Sequence, residues 1–242
     1  MTGRNLRRIL RSPDALLMGL ALPVLLLVLF VYVFGGAINT GTDYLNYVVP
    51  GIVLLSASFG AAQTSVAVAS DMQRGIVDRF RSMPIARSAV LTGHVVASLL
   101  RNLASTVVVF AVAAVMGFRA DATFVEWIAA IGVIALFILA ISAVSAALGM
   151  LAGNEEAASG FTFFLLFLPY VSSAFVPPDT MPSWLRGFAE HQPVTPVIET
   201  VRGLLTGTPV GNSALVAVGW CVAFIAVGLV AATALFRRRT AR

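Results

Sequence analysis

Six long runs of apolar residues divide the chain, with short polar connections between most of them. Each run reaches the length of about 20 residues that an α-helix needs to cross the hydrocarbon core of a bilayer. Lipid offers no partners to backbone N–H and C=O groups, so we expect these runs to be helices. The pattern predicts one all-α integral membrane domain over residues 1–242, with six transmembrane helices at Ala15–Phe34, Leu45–Ala69, Val90–Phe118, Phe124–Ala152, Ala157–Val176 and Ala214–Phe236.

Composition and charge support this interpretation and give it an orientation. Hydrophobic residues are 59% of the chain and charged residues 11%, against about 25% charged residues in soluble domains. The positive charges are all arginines, and twelve of the sixteen fall on one side of the predicted spans. Because inner connections carry the excess of basic residues, we expect both termini to be cytoplasmic. The first run is long enough to be a retained span, and we do not interpret it as a cleaved signal sequence.

One polar segment, Asp71–Arg87, interrupts the apolar pattern between the second and third spans, on the predicted cytoplasmic side. If it is helical, four charged residues spaced three and four apart share one face: Asp71, Arg74, Asp78 and Arg81. Apolar residues occupy the opposite face, which makes the segment amphipathic. Pro84 disfavours helical backbone at the residue before it, so the helix should end there. The segment therefore predicts a surface helix that contacts another molecule at the membrane face.

The connection after the fifth span, residues 177–213, is long and rich in apolar residues. We expect Pro182 to begin one short helix. A second should begin with Thr195 as N-cap and Pro196 as its first residue, and should end at Gly207. Neither helix is long enough to span, so we expect a re-entrant hairpin in the outer leaflet, the 182–207 hairpin. The residues expected to face inward are Trp184, Leu185 and Phe188 in the first helix and Val197, Val201, Leu204 and Leu205 in the second.

Two further local patterns lie on the predicted cytoplasmic side. In the tight turn Gly153–Glu156, Asn154 is expected to cap the fifth helix, with Glu155 and Glu156 near its positive end. At the start of the chain, basic residues recur at helical spacing among apolar ones, which predicts an interfacial helix over residues 1–14 on the anionic inner leaflet. Binding of nucleic acid is the other use of such a cluster, and we do not expect it in a membrane protein. The basic residues are Arg4, Arg7, Arg8 and Arg11.

Polar or aromatic residues inside the spans are the candidates for a substrate path, because polar groups are costly in the membrane. Arg101 and Gln63 are the polar candidates, and Phe164 and Phe167 give the fifth span an aromatic surface. Each has a simpler alternative. Arg101 either faces a substrate, bridges two helices or extends its charge to the interface, and the other three suit ordinary packing or lipid contact.

The sequence offers little material for catalysis. Cys221 is the only cysteine, and the two histidines, His94 and His191, fall on opposite sides of the predicted membrane. We therefore expect no catalytic residues and no metal site. The chain has no lysine, which the standard phosphate-binding loop requires. If the protein uses ATP, another polypeptide must hydrolyse it, and this chain is not expected to be an enzyme or to bind a cofactor.

Five sequence blocks occur in an order and at spacings that suggest a family. They are RSP (Arg11–Pro13), VFGG (Val33–Gly36), YVVPGI (Tyr47–Ile52), RGIVDRFRSMPIARS (Arg74–Ser88) and SSAFVPPDTMPSWLR…QPVTPV…VRGLL (Ser172–Leu205). With these blocks the chain resembles the permease subunits of ABC-2 type exporters, and among them the daunorubicin/doxorubicin-resistance group. The resemblance covers nearly the whole length.

The resemblance implies partners and roles. It implies a multi-pass permease of the bacterial plasma membrane, in contact with membrane lipid, that pairs with two copies of an ABC ATP-binding subunit and with a second permease copy, identical or a close paralogue. ATP and Mg would bind to the partner subunit. Asp71–Arg87 would be the coupling helix that docks on the ATPase, beside the interfacial helix. The docking residues would be Asp71, Arg74, Asp78, Arg79, Phe80, Arg81 and Pro84.

The function expected on this basis is ATP-driven export of a hydrophobic or amphipathic compound, such as a drug, a polyketide or a lipid-linked molecule. Two alternatives remain open. A secondary transporter driven by an ion gradient would need an ionisable residue near the membrane midplane, and no acidic residue lies centrally in any predicted span. A non-transporting assembly subunit is the other alternative.

Overall fold

The structure is a computed structural model that describes residues 13–38, 40–74 and 88–240. All regular elements in these ranges are helical. Two short 3-10 helices cover Leu168–Val171 and Pro178–Thr180, and a π-helical turn, Phe30–Phe34, continues the first helix. The α-helices are α1 (Pro13–Leu29), α2 (Tyr44–Gln73), α3 (Ser88–Val115), α4 (Phe124–Leu151), α5 (Glu155–Phe167), α6 (Ser183–His191), α7 (Val194–Thr206) and α8 (Ser213–Thr240).

Four helices in the described ranges are long and apolar enough to cross a membrane: α2, Thr92–Val115 within α3, α4, and Ser213–Leu235 within α8. A shorter apolar helix covers Ala21–Phe34. The fifth predicted run differs from the expectation of one helix over Ala157–Val176. Its α-helix ends at Phe167, and a 3-10 turn ends at Val171, because Pro169 has no N–H to donate to the preceding turn.

Helix α2 is the centre of the fold. It packs against α1, α3, α4, α5 and α7. In α2, 72% of the most apolar 18-residue stretch is buried, whereas in α8 only 17% of the corresponding stretch is buried. The largest group of buried side chains lies along α2 and the facing side of α4, including Ile52, Leu55, Ile134 and Ile138. An apolar helix with so little exposed surface serves as the core against which the other helices pack.

Side-chain caps fix the starts of α5 and α4, as Asp43 does for α2. Asn154 Oδ1 accepts a hydrogen bond from Ala157 N at 2.7 Å, which confirms the predicted cap of α5. At the start of α4, the Thr123 hydroxyl oxygen accepts from Glu126 N, while the Glu126 carboxylate accepts from Thr123 N at 2.7 Å. This reciprocal capping box satisfies two backbone donors that the helix itself leaves free.

The 182–207 hairpin consists of two helices, α6 and α7, close to the predicted positions. Gly207 ends α7 in the left-handed conformation, with φ of 68°, which glycine adopts without steric cost. Thr195 is not the N-cap, because α7 begins at Val194. The Thr195 hydroxyl instead donates to Ala189 O of α6, so it joins the two helices of the hairpin.

The inward faces of the hairpin follow the prediction in α7 but not in α6. Val197, Val201 and Leu205 of α7 are fully buried. The prediction for α6 is wrong for its two large aromatic residues, since Trp184 is 78% exposed and Phe188 52% exposed. The buried residue of α6 is the small Ala189, because α6 lies close to its neighbours through the Thr195 hydrogen bond. The aromatic rings therefore face the surroundings.

Candidate functional site

The side chain of Arg101 runs from α3 across to the central helix α2. Its Nη2 donates a hydrogen bond to Gly60 O at 2.7 Å. The two backbones come close here because Gly60 has no side chain, and a Cβ at this position would overlap the side chain of Asn102. Of the roles considered for Arg101, the structure shows a contact that bridges two helices.

A row of hydrogen-bonded polar side chains, the polar seam, lies beside this contact. Asn102 Nδ2 donates to Ser98 O at 2.9 Å and to Ser98 Oγ at 3.1 Å. The hydroxyl of Ser98 lies 2.9 Å from that of Ser142 on α4, and the hydroxyls of Ser56 and Ser105 are 2.9 Å apart. Because these groups pair with one another, the polar seam joins α2, α3 and α4.

The other candidate residues of the substrate path lie in two different places. Gln63 is exposed and lies three residues after Gly60, so it shares the face of α2 that Arg101 reaches. Phe164 is 75% exposed and Phe167 55% exposed. They lie on the side of α5 away from its buried residues Ala158 and Thr162. The structure brings Gln63 and Arg101 to one region and does not bring the two phenylalanines there.

Side-chain contacts join α2 to α3 and to the α4–α5 turn, close to the ends of α2 and α3 that residues 75–87 connect. Asp71 Oδ2, in the last turn of α2, lies 3.0 Å from His94 Nε2 of α3. Two residues further on, Gln73 Nε2 donates to Gly153 O in the α4–α5 turn at 3.3 Å. Helix α2 ends at Gln73, and the N–H of the next residue, Arg74, donates to Ser70 O. We call this group of contacts the loop-end brace.

Most of the docking residues implied by the resemblance fall outside the described ranges. Asp71 and Arg74 are described, and Asp71 belongs to the continuous helix α2. The remaining predicted residues lie in stretches that are not described: Asp78, Arg79, Phe80, Arg81 and Pro84 in the connection, and Arg4, Arg7, Arg8 and Arg11 in the first twelve residues.

At the opposite end of the bundle, Arg202 of α7 makes contacts that the sequence analysis missed. Its Nε donates to Tyr47 O at 3.1 Å and its Nη2 to Ser173 O at 2.6 Å. The guanidinium carbon lies 3.7 Å from the centroid of the Tyr47 ring, a cation–π geometry. All three residues fall inside the sequence blocks that carry the resemblance. Their presence in these blocks is the sequence feature that could have drawn attention to them. We call these three residues the Arg202 clamp.

Gln192, between α6 and α7, provides a second attachment of the hairpin. Its Nε2 lies within hydrogen-bond distance of Leu168 O at 3.3 Å, Val171 O at 3.4 Å and Thr195 Oγ1 at 3.1 Å. The first two partners lie in the 3-10 turn that follows α5. The hairpin is therefore held to the end of α5 as well as to α2.

Exposed charges on the hairpin surface pair locally. Arg186 Nε donates to Glu190 Oε1 at 2.7 Å, one turn along α6. This hydrogen bond and the charge of Glu190 raise the pKa of Arg186. Within the described ranges, no group of three or more His, Cys, Asp or Glu side chains is placed to hold a metal ion.

A family model described as ABC-2 type transporter matches residues 1–206. The chain belongs to the ABC-2 type transporter family. The family match extends from before α1 to the end of α7, so it includes both the loop-end brace and the Arg202 clamp.

Individual relatives of this ABC-2 type transporter are named as permeases. The daunorubicin resistance ABC transporter permease protein DrrB1 of Streptomyces coeruleorubidus is 31% identical over 189 residues, 77% of this chain and 67% of the relative. The probable doxorubicin resistance ABC transporter permease protein DrrC of Mycobacterium tuberculosis is 25% identical over 98% of this chain and 87% of the relative. The putative transport permease ycf38 of Cyanophora paradoxa is 27% identical over 80% of this chain and 69% of the relative. Family and relatives together support an ABC exporter permease.

Proposed function

We propose that this chain is the transmembrane subunit of an ABC exporter that moves a hydrophobic or amphipathic compound out of the cell. A separate subunit binds ATP and Mg and hydrolyses the nucleotide. The family match and the names of the relatives support the permease role. The names of two relatives contain the drugs daunorubicin and doxorubicin. Daunorubicin is therefore the first compound to test for transport.

The proposed topology has six crossings of the bacterial plasma membrane. We propose that α1 and α5 with its 3-10 turn are two further crossings beside the four candidate spans. With six crossings, the proposal assigns both termini and residues 75–87 to the cytoplasmic side. The excess of arginine on that side supports this orientation. The 182–207 hairpin then enters the outer leaflet.

The loop-end brace is the observation that favours residues 71–87 as the place where a partner subunit moves the permease. A force applied to the connection would act on α2 and, through Asp71 and Gln73, on α3 and the α4–α5 turn. Because α2 packs against five other helices, its displacement would alter packing throughout the bundle. We propose that two ATP-binding subunits act here, on a pair of permease copies, through the docking residues 71–84.

The experiment compares charge reversal on the proposed docking surface with charge reversal elsewhere. The permease is co-expressed with an ATP-binding subunit, and the complex is reconstituted in liposomes. Arg74→Glu combined with Arg81→Glu should reduce co-purification of the ATP-binding subunit and uncouple ATP hydrolysis from daunorubicin transport. Arg119→Glu is the matched control, since Arg119 is exposed in the α3–α4 connection on the other side.

Three results would contradict the proposal. Equal losses in the docking variant and in Arg119→Glu would reject residues 71–84 as the docking surface. Transport by the permease alone, driven by a proton or sodium gradient, would identify a secondary transporter. A permease that binds the ATP-binding subunit yet neither transports nor changes its rate of hydrolysis would be an assembly subunit.

A further inference from the structure

The charge of Arg101 is only partly balanced by the protein. In the described part of the chain, its guanidinium makes one hydrogen bond, to the Gly60 carbonyl, and no ion pair. A guanidinium has five N–H donors. Arg202, by comparison, donates to two carbonyls and lies on an aromatic ring. A half-buried cation with so few partners is costly inside a membrane span, which makes it a candidate functional group.

Arg101 lies near the middle of its helix. Thirteen residues separate it from Ser88 and fourteen from Val115, so it is about 20 Å from either end at a rise of 1.5 Å per residue. Its carbonyl partner Gly60 is likewise in the central part of α2. A guanidinium that extended to the membrane interface would point along the helix, whereas this one bonds sideways to α2. The charge is therefore held between α2 and α3, inside the candidate span Thr92–Val115.

An uncharged hydrogen-bonding group lies on the same side of α2. Gln63 is exposed, three residues from Gly60, and its amide supplies both donors and an acceptor. The polar seam behind Arg101 is already paired internally. The hydroxyls of Thr64 and Ser65 have no hydrogen-bond partner, but both residues are buried. The groups that a ligand can reach in this region are therefore the remaining N–H groups of the half-buried Arg101 and the amide of the exposed Gln63.

We infer that Arg101 and Gln63 form a binding site beside α2 and α3 for the acidic group of an amphiphile, a carboxylate or a phosphate, whose apolar part lies among the spans. Guanidinium groups bind both anions through paired N–H donors. The inference rests on the proposed export function in one respect, since it assigns the charge of the exported compound. Binding itself is measured without any ATP-binding subunit, so the two proposals fail separately.

The test uses three probes with the same alkyl chain and different headgroups: palmitate, hexadecyl phosphate and hexadecanol, each with a photoreactive diazirine in the chain. The full-length protein is placed in phosphatidylcholine nanodiscs, affinities are measured by thermophoresis, and adducts are mapped by mass spectrometry. The two anionic probes should bind at least about tenfold more tightly than hexadecanol, as expected for hydrogen bonds to a charged group. Their adducts should lie around Gly60 and Arg101.

Variants separate a ligand site from a structural contact. Arg101→Gln should abolish the preference for anionic probes, and Arg101→Lys should keep part of it. Gln63→Leu should weaken anion binding several-fold while leaving the Gly60 contact intact, and it decides the question if Arg101→Gln fails to fold. Arg186→Gln, which removes an exposed arginine of α6, should leave the preference unchanged.

Several outcomes would overturn the inference. Equal affinity for all three probes, or an anion preference that survives Arg101→Gln, would show that Arg101 only joins two helices. Displacement of the probes by inorganic phosphate would indicate a water-filled phosphate site instead of one for amphiphiles. Daunorubicin transport by the complex with no anion preference in the permease would leave the export proposal standing and reject this one.

Discussion

Replacing Arg202 with alanine should release the 182–207 hairpin from α2. The change removes hydrogen bonds to Tyr47 O and Ser173 O and the cation–π contact with the Tyr47 ring. Each hydrogen bond to a charged group contributes about 1.5–3 kcal/mol, and a desolvated cation–π contact about 2 kcal/mol. These contributions overlap, so we expect the free energy of local opening to fall by about 3–5 kcal/mol. At about 1.4 kcal/mol per factor of ten, opening becomes about a hundred to several thousand times more frequent.

Hydrogen–deuterium exchange in nanodiscs measures this opening directly. Amides of α7 should exchange faster in Arg202→Ala by the factor above, while amides of α4 keep their wild-type rates. Arg202→Lys keeps the charge but loses the planar fork, so its effect should be intermediate. Arg186→Ala is the matched control, because Arg186 pairs only on the surface of α6. Exchange of α7 in Arg202→Ala within about threefold of the control would refute the reasoning that this clamp holds the hairpin.

Three further predictions concern other parts of the bundle. Asn154→Ala should lower the free energy of unfolding by about 1 kcal/mol through loss of the α5 cap, with Asn154→Gly much less affected in thermal unfolding. Gly60→Val should separate α2 from α3, because its side chain would meet Asn102, and should lower the unfolding midpoint more than Gly36→Val, where no atom lies within 4 Å of an added Cβ. His94→Leu and Asp71→Asn should each lower transport per ATP hydrolysed, and the double variant should lose no more than Asp71→Asn alone; additive losses would contradict a shared contact.

Hydropathy and helix-ending residues predicted most of the helices, and the wrong orientation of α6 has a physical cause. Gly207 and the Asn154 cap act on neighbouring residues, so a short stretch of sequence is enough to predict them. The orientation of α6 was wrong because large aromatic side chains were assumed to turn inward. That assumption holds in water. In a membrane protein lipid is as apolar as the core, so Trp184 and Phe188 gain little from burial in the protein.

The contacts around the arginines could not be predicted because they join distant residues. Arg202 and its acceptor Tyr47 O are separated by 155 positions, and no local spacing connects them. For Arg101 the sequence left three roles open, and the bridge depends on the close approach of α2 and α3 at Gly60. Of the docking residues, only Asp71 and Arg74 are described, so that assignment remains a prediction.

Most of the surface of α8 is not buried in the protein, and this affects which substitutions the helix tolerates. Its outward residues, among them Leu215, Val222 and Val230, are more than half exposed, whereas Ala217 and Cys221 are buried. Positions open to lipid should accept any apolar side chain whatever its volume, and reject polar ones. At the buried positions, which also include Gly228 and Ala232, a single added methyl group would meet closely packed neighbours. Sequence change along α8 is therefore limited by side-chain polarity on the exposed side and by side-chain shape on the buried side.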